Sequence, residues 1–133
     1  MNYNPGERLN QLSEAIISSA IAVHRELGPR LLESAYESCL EYELLDRGLI
    51  VERQKELPVI YRGVRVDCGF RIDLLVNDLV IIELKSVERL DRIHEAQVLT
   101  YLKLTKLHLG LLINFNVTRL MDGFKRLVEK FPS

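Results

Sequence analysis

Two charged residues interrupt an otherwise apolar run in the second half of the chain. Glu83 and Lys85 lie within the segment from Leu79 to Lys85, whose other residues are typical of a buried strand. Because side chains two residues apart in a strand point to the same face, these two charges share a face. Burying an ion is costly unless it is paired or bound. The pattern therefore indicates either a structural ion pair or a functional site.

A third charge occupies the same kind of position in the preceding strand segment. Asp73 lies among apolar residues in the segment from Phe70 to Val76, although aspartate is a poor strand former. With a strict two-residue turn at 77–78, Asp73 would face Ile82, and Glu83 would point to the other side of the sheet. We therefore predict a three-residue loop or a bulge, which places Asp73 opposite Glu83.

The convergence of Asp73, Glu83 and Lys85 would suit a hard divalent cation. Mg²⁺ and Mn²⁺ prefer oxygen ligands, keep several waters and are usually held by one or two carboxylates. Such an ion lowers the pKa of a bound water and neutralises charge on a phosphate. A neighbouring lysine can orient the attacking water or stabilise the phosphate. An ion pair of Lys85 with either carboxylate, or an exposed sheet face, is the structural alternative, and spacing alone leaves both interpretations open.

A helix predicted from about Asp91 to Lys106 carries two further polar side chains. Gln97 and Tyr101 lie one turn apart, on a stripe with the apolar residues Ile93 and Leu104. We expect this face to pack toward the sheet and to bring an amide and a phenol near the charges. The alternative is a tyrosine ring that fills the core, with the glutamine at its rim.

A second helical segment, predicted from Leu31 to about Arg47, is acidic along one side. Glu33, Glu37 and Glu41 form a ridge with one-turn spacing. Glu33 lies in the first turn, where the helix dipole favours a carboxylate. Glu37 and Glu41 are expected to form a solvated face.

The remaining patterns predict one compact α/β domain, residues 1–133, with a mixed central sheet flanked by helices. A first amphipathic helix runs from about Leu9 to Leu27 and ends at Gly28-Pro29. A strand–helix–strand unit near the end should form a right-handed crossover. The other predicted strand segments are Ile50-Val51, Leu57–Tyr61, Val64–Val66, Leu107–Ile113 and Phe124–Val128.

Composition excludes several classes of protein. The 133 residues are 47% hydrophobic and 28% charged, an ordinary globular balance. The two cysteines rule out a disulfide scaffold or a zinc ribbon. No stretch approaches the roughly 18 apolar residues of a membrane span, and no signal-peptide core is present, so we expect a cytoplasmic protein. Eighteen basic and 19 acidic residues give a net charge of −1, which supplies no electrostatic case for nucleic acid.

Several segments resemble a known family. RIDLLVNDLVIIELK resembles the active-site hairpin of the PD-(D/E)XK nuclease superfamily. GPRLLESAY, LPVIYRGV, IHEAQVLTYLKLT and GLLINFNV resemble the small bacterial and archaeal GxxExxY proteins of that superfamily. The resemblance extends from about His24 to Val128 and implies a restriction-endonuclease-like core.

The resemblance also implies a metal centre. Asp73 would bridge the metal and Glu83 would be the second ligand of Mg²⁺ or Mn²⁺, with the Leu84 carbonyl as a further ligand. Lys85 would be the catalytic lysine. Glu33 would correspond to the helix carboxylate that supports a metal-bound water.

Two more motifs are carried over in the same way. Gln97 and Tyr101 resemble the Gln-x₃-Tyr motif of RecB-type nucleases, in which they help to position the phosphate or the lysine. Tyr36 belongs to the GxxExxY motif without an assigned role. Arg30 stands where these proteins often have glycine, which puts the loop before the second helix in question.

The function implied by the resemblance is a metal-dependent nuclease that hydrolyses phosphodiester bonds, with DNA as the expected nucleic acid. The alternative is a catalytically inactive nucleic-acid-binding or scaffold module on a nuclease-like fold, which the near-zero net charge favours. A domain of this size would need a homodimer or a protein partner to build a long basic groove. A nucleotide phosphodiesterase is disfavoured because the sequence has no glycine-rich phosphate loop.

Overall fold

A computed structural model of the protein describes residues 4–132. Within this range the elements follow one another as α1 (Pro5–Leu27), α2 (Glu33–Asp46), β1 (Val51–Glu56), β2 (Val59–Tyr61), β3 (Val64–Val66), β4 (Arg71–Val76), β5 (Val80–Lys85), α3 (Arg92–Thr105), β6 (Leu109–Asn114), a 3₁₀ turn (Leu120–Gly123) and β7 (Phe124–Val128). None of the helices described is long and apolar enough to cross a membrane.

The first helix begins one turn earlier than predicted. Asn4 caps it, because its side-chain oxygen accepts a hydrogen bond from the Glu7 N–H at 3.1 Å. Pro5 follows at the first helical position, where its missing N–H costs nothing. The helix ends at Leu27, as the Gly28-Pro29 pair predicts.

Five strands form a mixed sheet in the order β1-β4-β5-β6-β7. β5 and β6 are parallel and are joined through α3, whereas the other neighbouring pairs are antiparallel. β2 and β3 form a separate two-stranded sheet, inserted between β1 and β4 along the chain. The predicted α/β class with a mixed sheet is confirmed.

Helices cover both faces of the sheet and create two apolar cores. α1 and α2 pack on one face, against alternating residues of β5 and β6, and α3 packs on the other. Gly110 of β6 permits the close approach of α3, since a Cβ there would lie 2.5 Å from Cγ1 of Val98. The site residues of β4, β5 and α3 are therefore held by a well-packed centre.

Strand β1 is the main departure from the predicted elements. The sequence indicated only Ile50-Val51, but the strand continues through the polar stretch to Glu56. As an edge strand it pairs with β4 alone, so most of its side chains can stay in contact with water. Backbone hydrogen bonds to β4 stabilise this strand, and such bonds leave no alternation of hydrophobic residues in the sequence.

Candidate functional site

The hairpin between β4 and β5 has the predicted offset. Residues 77–79 form a three-residue loop, in which Asn77 and Asp78 adopt φ values of 52° and 54°. Asparagine and aspartate tolerate this left-handed conformation better than most residues. The strand register is Val76↔Val80, Leu75↔Ile81 and Leu74↔Ile82. Continued by one residue, it places Asp73 opposite Glu83, so the predicted loop is confirmed.

At this point of the hairpin, hydrogen bonds from the backbone to side-chain carboxyl groups replace the backbone-to-backbone bonds between the strands. The Asp73 N–H donates to Oε1 of Glu83 at 3.0 Å. The Leu84 N–H donates to Oδ2 of Asp73 at 2.8 Å. Each carboxyl group is thus held by a backbone N–H of the opposite strand, and the two carboxyl groups lie together where the strands separate.

The two carboxyl groups are close enough to compete for a proton. Burial raises the pKa of Glu83 to about 9, and the negative charge of Asp73 adds to the effect. Burial also raises the pKa of Asp73, against the lowering effect of the Leu84 N–H bond. With its pKa at about 9, Glu83 is the group of the pair that keeps a proton at neutral pH. A cation would replace the Glu83 proton and neutralise the charges of both carboxylates.

Lys85 is half-buried at the end of β5 and does not pair with the carboxylates. It follows Glu83 by two residues in a regular strand, so both side chains point to the face that α3 covers. Among the ion pairs of residues 4–132, none joins Lys85 to Asp73 or Glu83. The structural alternative, a buried ion pair of Lys85 with either acid, is therefore wrong.

Glu33 and Asp73 both line an open cavity of about 500 Å³ between α2 and the sheet. Oε1 of Glu33 lies 3.4 Å from the Ser86 N–H, directly after the end of β5. The other lining residues are Leu31, Leu32, Ser34, Glu37, Gln54, Leu84 and Ser86. Glu83 and Lys85 are not among the residues that line this cavity. Asp73 lines the cavity and is also hydrogen-bonded to Glu83, whose side chain points to the opposite face of the sheet.

Gln97 and Tyr101 belong to α3, so they lie on the sheet face opposite α1 and α2. Tyr101 is buried, and Nε2 of Gln97 donates to its hydroxyl at 3.1 Å. Burial raises the pKa of Tyr101, and the negative charge of Glu83 raises it further, which places the phenol near the charged pair. The expected apolar stripe is wrong at Ile93, which is 71% exposed because it lies in the first turn, ahead of the residues that contact the sheet.

A hydrogen-bond network in the wall of the cavity was not predicted from the sequence. Glu37 was expected in solvent but is only 6% exposed. It accepts hydrogen bonds from Nε of Arg53 at 2.9 Å and from Nε2 of Gln54 at 2.7 Å. The one-turn spacing from Glu33 to Glu37 was a signal for a shared face, but no local pattern indicates Gln54.

The hydroxyl of Tyr36 fastens the loop that precedes α2. It donates to the Gly28 carbonyl and accepts from the Leu31 N–H at 3.1 Å. Oγ of Ser86 donates to the Leu31 carbonyl from the side of β5. The loop before α2 is therefore tied to both layers, and these bonds hold Glu33 beside the end of β5.

Arg30 lies in the same loop, with a φ of 75°. This left-handed region favours glycine, the residue that the resembling proteins often carry at this position. The loop thus keeps a glycine-type backbone conformation although the residue is an arginine.

The side chains present fit a hard divalent cation. Two carboxyl groups lie together, and the Leu84 backbone, predicted to supply a carbonyl ligand, is adjacent to them. Within residues 4–132 no group of three or more His, Cys, Asp or Glu residues could hold a metal ion. Mg²⁺ needs only one or two carboxylates because it retains waters. Burial first, and the charge of Asp73 second, raise the pKa of Glu83, so this carboxyl group favours a proton or a cation beside it.

Comparison with known proteins defines the class. The sequence model of the PD-(D/E)XK nuclease superfamily matches residues 10–127, which is most of the chain. The chain belongs to this superfamily, and its helices and five-stranded mixed sheet agree with a restriction-endonuclease-like fold. No curated protein and no solved structure matches the chain.

The raised pKa of Glu83 predicts an unusual pH dependence of stability in metal-free protein. Between the ordinary value of 4.5 and about 9, the folded state keeps a proton that the unfolded state releases. Stability should therefore be highest below this window and fall as pH rises through it. Glu83→Gln should remove this dependence and raise the melting temperature at pH 8 by about 5 °C or more.

Thermal melts in chelator between pH 5 and pH 9 would measure this effect. Glu88→Gln is the matched control, because it removes an exposed carboxylate of the same kind. Parallel curves for wild type and Glu83→Gln would show that the Glu83 pKa is ordinary.

Proposed function

We propose that the protein is a divalent-metal-dependent nuclease that hydrolyses phosphodiester bonds in DNA. The observation that carries this proposal is the pair of carboxyl groups of Asp73 and Glu83, held together by reciprocal backbone bonds, with Lys85 two residues after Glu83 on the same strand. Membership of a nuclease superfamily supports the reaction class.

Asp73, Glu83 and the Leu84 carbonyl would hold Mg²⁺ or Mn²⁺. When bound, such an ion supplies an activated water and neutralises charge on the phosphate. The ammonium of Lys85, a half-buried residue on the same strand face as Glu83, stabilises the negative charge that develops on the phosphate. Its freedom from ion pairs within the described residues leaves it available for that contact.

Glu33 and the α3 pair have supporting roles in this proposal. Glu33 lines the same cavity as Asp73, so it orients water on the cavity side of the site. Tyr101 is buried on the sheet face to which Glu83 points, and Gln97 fixes the direction of its hydroxyl through a 3.1 Å bond. Together they position the carboxyl group and the lysine on the α3 face.

Within the superfamily, we place the chain with the GxxExxY proteins. The two motif residues that it shares, Glu33 and Tyr36, act together in the structure, because the Tyr36 hydroxyl fastens the loop that leads into Glu33. A homodimer or a protein partner that widens the phosphate-binding surface is part of the same proposal, and the net charge of −1 makes such help useful.

The experiment is a cleavage assay on labelled single-stranded and double-stranded DNA, and on RNA of the same sequence. Wild type should cut DNA with Mg²⁺ or Mn²⁺ and stop in excess chelator. Asp73→Asn, which removes the charge but little volume, should reduce cleavage to background. Equal cleavage by wild type and Asp73→Asn would indicate a contaminant and contradict the proposal. Salt-dependent DNA binding without cleavage under any metal would support the inactive binding module instead.

A further inference from the structure

The side-chain amide of Gln54 lies between two carboxylates. Its Nε2 donates to Oε1 of Glu37 at 2.7 Å and to Oδ1 of Asp73 at 3.2 Å. Because carboxylates only accept hydrogen bonds, the amide nitrogen, with its two hydrogens, must face both of them. We propose that Gln54 is a positioning residue, which holds the Asp73 carboxylate in the orientation that binds a divalent cation. The inference rests on the proposed function for its cation.

The backbone of β1 is distorted at this residue. Gln54 has a φ of 52°, although its neighbours Arg53 and Lys55 pair regularly with β4. Residues other than glycine rarely adopt this conformation, and within a strand it interrupts the regular alternation of side chains. As a consequence, the Gln54 side chain can contact Glu37 of α2 and Asp73 of β4 at the same time.

Both oxygens of Asp73 are fixed by this arrangement. Oδ1 accepts from Gln54 and Oδ2 accepts from the Leu84 N–H at 2.8 Å. In the described chain, Gln54 is the one side chain that donates a hydrogen bond to Asp73. A carboxylate with one oxygen released could rotate about its side-chain bonds, and the Leu84 bond would weaken with it.

Glu37 and Arg53 hold the amide itself in place. Glu37 is buried, and its second oxygen accepts from Nε of Arg53 at 2.9 Å. The negative charge of Glu37 also acts on Asp73 and raises its pKa. The Gln54 amide, placed between the two, supplies one donor to each. Without it, two carboxylates would face each other with no hydrogen between them.

The first test uses metal-free protein and measures hydrogen exchange of single amides. Gln54→Leu keeps a side chain of similar size and removes both donors. The Leu84 amide should exchange at least about tenfold faster in this variant, because its acceptor is no longer held. The Ile82 amide, in the paired part of β5, should exchange as in wild type. An unchanged Leu84 rate would overturn the positioning role.

The second test measures Mn²⁺ affinity by calorimetry. Gln54→Leu should bind Mn²⁺ about 10- to 100-fold more weakly, the range typical of residues that orient metal ligands. Lys55→Ala is the matched control, since it breaks the neighbouring Lys55–Glu52 ion pair on the same strand. Its Mn²⁺ affinity should equal that of wild type. Melting temperatures of both variants separate a loss of ligand orientation from a loss of folding.

Gln54→Asn separates hydrogen bonding from backbone strain. Asparagine accepts a left-handed backbone more readily, but its amide is one methylene shorter and cannot span both carboxylates. This variant should be at least as stable as wild type and still bind Mn²⁺ more weakly. Wild-type affinity in both Gln54 variants would overturn the inference. A wild-type protein that binds no Mn²⁺ would contradict the proposed function instead, and the exchange experiment would still decide whether Gln54 orients Asp73.

Discussion

Lys85→Ala is expected to reduce the rate of DNA cleavage by about 10²- to 10³-fold, the usual effect of removing one group that stabilises transition-state charge. Lys85 follows Glu83 by two residues on the same face of β5 but forms no ion pair with the carboxyl groups in the described residues. Its removal should therefore leave Mn²⁺ binding and the melting temperature nearly unchanged. Single-turnover cleavage, compared with calorimetric Mn²⁺ titration, would measure the two effects separately.

Two further variants sharpen the Lys85 experiment. Lys103→Ala removes an exposed lysine from α3 and should cleave DNA at the wild-type rate. Lys85→Arg keeps the positive charge and should recover part of the lost rate, because the ammonium acts through its charge. Full activity in Lys85→Ala would remove this residue from the reaction. Loss of Mn²⁺ binding in the same variant would show that it maintains the structure of the site.

Metal binding should release a proton from Glu83. In metal-free protein the pKa of Glu83 is raised to about 9, so the group is protonated at pH 7. A ligand carboxyl group must lose this proton before it binds the cation. Mn²⁺ affinity should therefore rise by up to about tenfold per pH unit between pH 6 and pH 8 and level off above the pKa.

Calorimetric titration at pH 7 in two buffers with different ionisation enthalpies would count the protons released. We expect about one proton per Mn²⁺ ion. Asp73→Asn should abolish binding, whereas Glu88→Gln, which changes an exposed carboxylate, should bind as wild type does. Binding by wild type without proton release would contradict the protonated state of Glu83. Binding by Asp73→Asn at wild-type affinity would place the cation elsewhere.

The candidate site could be predicted at the β4–β5 hairpin because the evidence there is local. Charges in apolar strands stand out along the chain, and side-chain alternation determines which of them can meet. Bringing Asp73 and Glu83 together required a three-residue loop, and the structure has one. The helices were predicted for a similar reason, since their apolar faces recur at the period of a helix.

The polar network around Asp73 could not be predicted in the same way. Glu37 and Gln54 are 17 residues apart, and Gln54 and Asp73 are 19 apart. Their contacts depend on the pairing of β1 with β4, and β1 is a polar edge strand with no hydrophobic alternation to reveal it. Glu37 looked like part of a solvated ridge because its partner, Arg53, comes from that strand.

By itself, the sequence determined the α/β class, the hairpin register and the residues that can supply carboxylate, lysine and phenol groups, because these follow from periodicity and from the types of neighbouring residues. The tertiary structure decided how those groups are held. Only the packing of α2 on the sheet buries Glu37, and only the pairing of β1 with β4 brings the Gln54 amide to Asp73. Burial likewise sets the protonation of Glu83, because a pKa depends on desolvation and neighbouring charge in three dimensions.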